Sequence, residues 1–324
     1  MIVVAGEALM DLLVGPSGAI VARPGGGPFN TARTIARLGV PVTFLGRLSG
    51  DRFGRAMATI LDDDGVQLAC PEPAPEPTTL ALAEIDGGQA QYRFYLAGTA
   101  APGLLPEHLE GARTVWPTAV HVGTLGLAVE PMASTLEAFV LGLPAAVLVM
   151  VDPNCRPSVV PNPGGFRARM ERLLRRADVV KASREDLAFL HPGVPADVAA
   201  RALLGEPGAG SAAVLLTAGA DPVFALTGSG ERRVRVPQVD VVDTVGAGDA
   251  FGGAFLAWWS AAGLGRAELD DLDLLARAVE AAVDVAAETC RRPGADPPSR
   301  ADLGTSRTRW PIQARGPAGD PGGS

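Results

Sequence analysis

The chain has 324 residues, 47% of them hydrophobic and 20% charged, with a formal net charge of −8. That length can bury one large core, or one core with a small appendage. The acidic balance, with no basic stripe to offset it, excludes a nucleic-acid or anionic-membrane partner. No apolar run reaches membrane length, and Met1 to Leu9 lacks the basic start and cleavage site of a signal peptide. Cys70, Cys155 and Cys290 have no metal or redox spacing, which suits reduced thiols and a cytoplasmic location.

Ile2-Val3-Val4-Ala5 predicts a buried strand, and the apolar run after Gly6-Glu7 ends at Asp11. A strand would deliver that carboxylate to the rim of a parallel sheet, outside the carboxyl ends, where such sheets bind ligands. Gly25-Gly26-Gly27 then opens a helical pattern carrying Ile35, Ala36 and Leu38 and ending at Gly39. A glycine run there permits close approach of a ligand to the backbone, and Asn30 offers both a donor and an acceptor. Gly46, Gly50, Asp51 and Gly54 punctuate a turn in which Asp51 reads as structural, and Asp62-Asp63-Asp64 reads as a solvated helix end. Pro71 to Pro77 is a connector. Thr78–Glu84 and Gln91–Leu96 alternate as two strands around an Asp86-Gly87-Gly88 turn. A hairpin interrupting a βα pattern suits a lid, with Leu12 to Ala22 supplying further strands. Tyr92, Phe94 and Tyr95 would face a ligand or simply hold that lid together.

From Thr114 the chain alternates short apolar runs, 119–122, 146–151, 178–181 and 213–217, with helical patterns. This is the form of a parallel sheet covered on both faces. The strand ends carry Thr124, Asp152-Pro153-Asn154-Cys155-Arg156, Lys181-Ala182-Ser183-Arg184-Glu185-Asp186 and Thr217-Ala218-Gly219. Lys181, the single lysine, reads either as a phosphate contact or as a strand-end lysine snorkelling to solvent.

Val239 to Val242 alternates like a strand and leads into Asp243-Thr244-Val245-Gly246-Ala247-Gly248-Asp249-Ala250-Phe251, followed by a long apolar helix from Phe251 to Ala262. The bare amides of Gly246, Ala247 and Gly248 at a helix start form an anion site. Asp249 lies in the first turn. Amides that stabilise a transferring phosphoryl group beside a carboxylate that deprotonates a hydroxyl point to phosphoryl transfer. A second alanine-rich helix, Leu272 to Thr289, precedes Cys290 to Ala295, and Arg300 to Ser324 reads as a disordered tail.

The 243–251 stretch resembles the D-T-x-G-A-G-D-x-F signature of the ribokinase-like (PfkB) carbohydrate kinases. G-E-x-x-x-D at Gly6–Asp11, G-G-x-P-x-N at Gly25–Asn30 and D-P-N-x-R at Asp152–Arg156 resemble the fructokinase-like branch. The resemblance implies a three-layer α/β/α domain over residues 1–298, with a mostly parallel central sheet. It implies a β-sheet lid from about 12–22 and 78–97, with 299–324 outside the domain. It implies Asp249 as general base and Gly246, Ala247 and Gly248 as anion hole. Asp11, Gly25, Gly26, Asn30, Asn154 and Arg156 would bind substrate, and Lys181, Ser183, Thr217 and Gly219 would bind ATP. Ser183-x-x-Asp186 stands where the family has N-x-x-E, so Asp186 would approach Mg²⁺ through water. Asp243 would border a K⁺ site, and Val283 falls near the place of the family's adenine-side asparagine. The implied activity is transfer of the γ-phosphoryl group of ATP to a small sugar, a ketose such as fructose, with homodimerisation through the lid. Keto-deoxygluconate or nucleoside kinase activity, or a catalytically silent sugar-binding protein, are the alternatives.

Overall fold

Every residue of β1 (Ile2–Ala5) is buried, and its side chains divide between two separate cores: Ile2 and Val4 on one side, Val3 and Ala5 on the other. A strand apolar on both faces belongs in the middle of a covered sheet. In the computed structural model, which describes residues 1–15, 18–86, 89–205, 210–304 and 310–311, β1 does lie there.

The chain continues through β2 (Leu9–Val14), β3 (Ile20–Gly25), α1 (Gly27–Arg37), β4 (Val42–Leu45), α2 (Arg52–Asp63) and β5 (Gln67–Leu68). Then come β6 (Leu80–Asp86), β7 (Gln89–Tyr95), α3 (Glu110–Thr114), β8 (Ala119–Gly123), α4 (Met132–Leu141), β9 (Leu148–Asp152) and α5 (Pro163–Arg176). β10 (Val179–Ser183), α6 (Arg184–Leu190), α7 (Ala196–Ala202), β11 (Ala213–Ala218), β12 (Asp221–Thr227) and β13 (Gly230–Val234) follow, and α8 (Ala247–Ala261) and α9 (Leu272–Cys290) close the series.

The large sheet has the order β13-β12-β11-β10-β9-β8-β1-β4-β5, parallel except for the β11–β12–β13 edge. Helices α1, α8 and α9 cover one face and α4, α5, α6 and α7 the other, giving the expected α/β/α sandwich. α8 is apolar almost all round because it is interior: Phe255, Trp258 and Trp259 are each at most 2% exposed. The small sheet, β3-β2-β6-β7, begins earlier and ends later on its first side than the 12–22 segment, because β2 starts at Leu9 and β3 runs to Gly25. The expected turn at Gly87 and Gly88 lies outside the described residues.

Three expectations are corrected here. Val239 to Val242 is not a strand: it pairs with no strand among the described residues, and the amides of Val242 and Asp243 instead donate to the carbonyl of Cys290, at 2.8 and 3.2 Å. Asp64 is not merely solvated, since it accepts from Arg33 at 2.6 Å. The segment after 298 is partly packed. Leu303 and Trp310 join the core, and the amide of Arg300 donates to the carbonyl of Arg37 at 3.1 Å. The remainder of that segment, 305–309 and 312–324, lies outside the described residues. Among the described residues no helix is long and apolar enough to cross a membrane.

Candidate active site

Helices α1 and α8 meet closely enough to join two functional side chains, and small residues make that possible. A Cβ on Gly253 would stand 2.8 Å from the carbonyl oxygen of Thr31, so only glycine lets the helices approach this far. The approach puts Asn30, in the first turn of α1, against Asp249, in the first turn of α8. Asn30 Nδ2 donates to Asp249 Oδ2 at 2.9 Å, and Thr31 Oγ1 to the Asp249 carbonyl at 3.3 Å. Asn30 Oδ1 is buried with no partner among the described residues, which leaves an acceptor for a ligand hydroxyl. Gly27 keeps the space in front of the carboxylate open: a Cβ there would fall 2.4 Å from Thr124 Oγ1 and 3.2 Å from Asp249 Oδ1.

Gly246 caps α8 in the left-handed region, φ 79°, where a side chain would be strained. The first amides of a helix have no intrahelical acceptor. Here the amide of Ala247 turns to the carbonyl of Thr244 in a long 3.3 Å contact, while Gly246 and Gly248 line the cleft. The anion turn expected at 246–248 therefore reaches the cleft with its two glycines; Ala247 would have to give up a weak bond to join them.

The cleft, about 370 Å³, lies at the carboxyl ends of β1, β8, β9 and β10 and under the small sheet. A larger hollow of about 710 Å³ between α5 and α7 has no comparable pairing of a carboxylate with a helix start. Tyr92 and Phe94, two residues apart on β7, both face the cleft with their rings 6.2 Å apart, whereas Tyr95 points away, 48% exposed. Asp11 also reaches in. A Cβ on Gly25 would meet its Oδ2 at 2.1 Å, so Gly25 makes room for Asp11 rather than lining the cleft. Asn154, at φ 37°, donates to Thr124 Oγ1 at 3.3 Å. Arg156 is exposed and lines the mouth.

The acids of this cleft resist ionisation. Burial raises Asp249 above the ordinary carboxylate range, against the pull of the Asn30 hydrogen bond and the charges of Lys181 and Arg156. Burial, with the neighbouring charge of Asp249, brings Asp11 to about 7. Glu7 was given no role by the sequence beyond its place in a motif. It is 1% exposed and accepts from the amides of Gly27 (3.2 Å) and Gly126 (3.0 Å), tying two cleft loops together. Burial nonetheless brings it to about 8. A charged residue two positions after a fully buried strand was the signal that could have singled it out.

Lys181 does not snorkel: it is 5% exposed, and its Nζ donates to Asp152 Oδ2 at 2.8 Å. Ser183 and Asp186 form a reciprocal capping box at the start of α6, and Asp186 Oδ1 also accepts from the amide of Cys155 at 2.6 Å. Both oxygens of Asp186 are thus engaged by protein donors, and the residue is buried, so it is a poor approach point for Mg²⁺. Ser-x-x-Asp is itself a capping-box pattern, readable in sequence. Thr217 Oγ1 donates to the carbonyl of Ala182 at 3.4 Å, and Gly219 turns at φ 58°. Neither lines this cleft. Asp243, expected beside a monovalent cation, accepts from the amides of Val245 and Gly294, and the positive charge facing it is the guanidinium of Arg23, 3.4 Å away on β3.

The family described as pfkB family carbohydrate kinase matches residues 1–302, and the chain belongs to it. A fructokinase of Rhizobium leguminosarum bv. trifolii is 34% identical over 268 residues, covering 79% of each protein. Among solved structures, the fructokinase of Xylella fastidiosa with bound ATP superposes with a TM-score of 0.81 at 27% identity, covering 95% of this chain and 98% of that one. The fructokinase of Vibrio cholerae O395 with fructose, ADP and calcium superposes with a TM-score of 0.79 at 26% identity, over 96% and 98%. The chain is a fructokinase-like, ATP-dependent sugar kinase.

Proposed function

We propose that the protein phosphorylates a primary hydroxyl of a ketose, fructose or a close relative, with Asp249 as the general base. The observation that carries this reading is the Asn30–Asp249 hydrogen bond at the start of α8. It holds Oδ2 and leaves Oδ1 facing the space that Gly27 keeps clear. A sugar hydroxyl in that space loses its proton to Asp249 while its oxygen attacks the γ-phosphorus of ATP. The α8 amides and helix dipole then stabilise the phosphoryl oxygens. Asp11 and Asn30 Oδ1 accept from other hydroxyls of the sugar, and Tyr92 and Phe94 cover it. The polar groups beside Asp249, those of Asp11, Asn30 and Asn154, suit the hydroxyls of a neutral polyol.

Magnesium would enter with ATP, supplying charge neutralisation at the phosphates while keeping much of its own water. Among the described residues no group of three or more acidic, histidine or cysteine side chains forms a metal site, and the engaged carboxylate of Asp186 does not fit the expected contact. Arg23 likewise fills the position facing Asp243, so a K⁺ site there is not part of this reading. The three unpaired cysteines support a cytoplasmic location. Ile20, Val21 and Tyr95, exposed on the small sheet, support pairing of two lids, which sedimentation analysis tests.

The deciding experiment is an ADP-release screen with Mg²⁺ over ketoses, aldoses, keto-acids and nucleosides. Fructose or another ketose gives the highest kcat/KM under this reading; preference for a keto-acid or a nucleoside, or sugar binding without ADP release, rejects it.

A further inference from the structure

Arg23 stands on β3 directly opposite Asp11 of β2, so the two side chains share one face of the small sheet. Asp11 reaches the cleft. Arg23 makes no ion pair with it among the described residues; its Nη1 goes instead to Asp243 Oδ2, 3.4 Å away on the main body. No other side-chain hydrogen bond among the described residues joins the small sheet to the 243–249 segment. The pair is long, and its side chains are 35% and 24% exposed, so it adds little to global stability. Its place is what matters. Asp243 Oδ1 accepts from the amide of Val245 at 3.0 Å, and Oδ2 from the amide of Gly294 at 2.8 Å. Gly294 is left-handed, φ 74°, and a Cβ on it would stand 2.7 Å from Arg23 Nη1, so this loop is shaped to admit the guanidinium. The next residue packs on the anion turn: a Cβ added to Gly246 would fall 2.4 Å from the Cβ of Ala295. One carboxylate thus joins the lid strand, the Gly294 loop and the residues that lead into the turn.

We propose that Arg23 is a positioning residue for phosphoryl transfer: it fixes the α8 turn from the lid, and its guanidinium supplies at Asp243 the positive charge that a free monovalent cation would otherwise bring. The inference rests on the kinase reading above. Asp11 and Arg23 are carried by one pair of hydrogen-bonded strands. A sugar held by Asp11 and the turn that receives the phosphoryl group are therefore set by the same element. Whatever the bound sugar does to the affinity of the turn for the phosphoryl group, that group does in return to the affinity for the sugar.

Arg23→Met keeps an apolar stem and removes the charge. A displaced turn should lower kcat on the order of 10–10²-fold, and Arg23→Lys should recover part of that loss. A second readout separates positioning from mere packing. Calorimetry gives the affinity for fructose alone and with ADP and aluminium fluoride present. The nucleotide complex should tighten fructose binding at least about fivefold in the wild type, and that gain should vanish in Arg23→Met. A third measurement needs no variant: wild-type kcat should be unchanged when K⁺ is exchanged for tetramethylammonium at equal ionic strength. Strong activation of the wild type by K⁺, no tightening of fructose by the nucleotide complex, or an Arg23→Met enzyme with unchanged kcat and unchanged coupling overturns the proposal. Wild-type protein that phosphorylates no sugar would instead reject the kinase reading itself.

Discussion

Asp178 and Asp249 are acids at opposite rims of one sheet, and they are treated in opposite ways. Asp178, just before β10, is 4% exposed and accepts from Arg266 Nε (2.6 Å), the amide of Val149 (2.8 Å) and Arg176 (3.4 Å). Asp249 has one side-chain donor, Asn30, and burial raises its proton affinity. Asp51, at the start of α2, resembles Asp178. Burial opposes its charge, but Thr78, Gly54 and Ser49 donate to it, and together they bring it down to about 2. Acids that hold the fold are supplied with several donors. Asp249 is left short, which leaves lone pairs for a ligand and keeps its proton affinity high.

The contrast can be broken from either side. Replacing Asp178 by Ala strands Arg266 and the amide of Val149, and should cost about 3–5 kcal/mol in chemical denaturation with little change in kcat per folded molecule. Asp249→Asn should do the reverse. It should lower kcat at least ~10²-fold in an ADP-release assay while leaving the denaturation midpoint unchanged or raised, because it removes a charge that burial disfavours. A stable fold with wild-type kcat would remove Asp249 from the mechanism.

The pH dependence of stability sharpens the comparison further. Glu7 and Asp11 have folded values near 8 and 7, above their ordinary 4.5 and 3.8. Folding therefore favours their protonated forms. Their contribution is complete below the ordinary values and is lost as pH rises through 7 and then 8. The melting temperature of the ligand-free protein should fall from pH 5 to pH 8, and Asp11→Asn should flatten that fall; a rising profile contradicts the assignment. Asp51 has the opposite sign, its contribution being present above 3.8 and lost as pH drops through 2. Asp51→Ala should give the smallest change, about 1 kcal/mol in a urea titration, as for other helix caps.

Much of this was legible beforehand. Strands such as 119–123 and 148–152 announce themselves as short apolar runs, the first broken by His121 and the second ended by Asp152. The turn at 246–248 does so because bare amides at a helix start need glycine or alanine. What stayed hidden depends on partners distant in sequence. The role of Glu7 requires Gly126, 119 residues on, and that of Asp243 requires Arg23 from the lid. Val239 to Val242 misled because alternation reports two unlike faces, whereas a ladder also needs a neighbouring edge. Lys181 was visible as the single lysine, but its burial against Asp152 was not.

The burial of Trp310, 4% exposed and in the same apolar cluster as Phe255 and Trp259, has a practical side. Composition alone would invite an experimenter to trim the chain after Pro298 as dispensable ballast. Doing so would remove Leu303 and Trp310 from the apolar cluster that also holds Phe255 and Trp259, and would leave apolar surface bare to water.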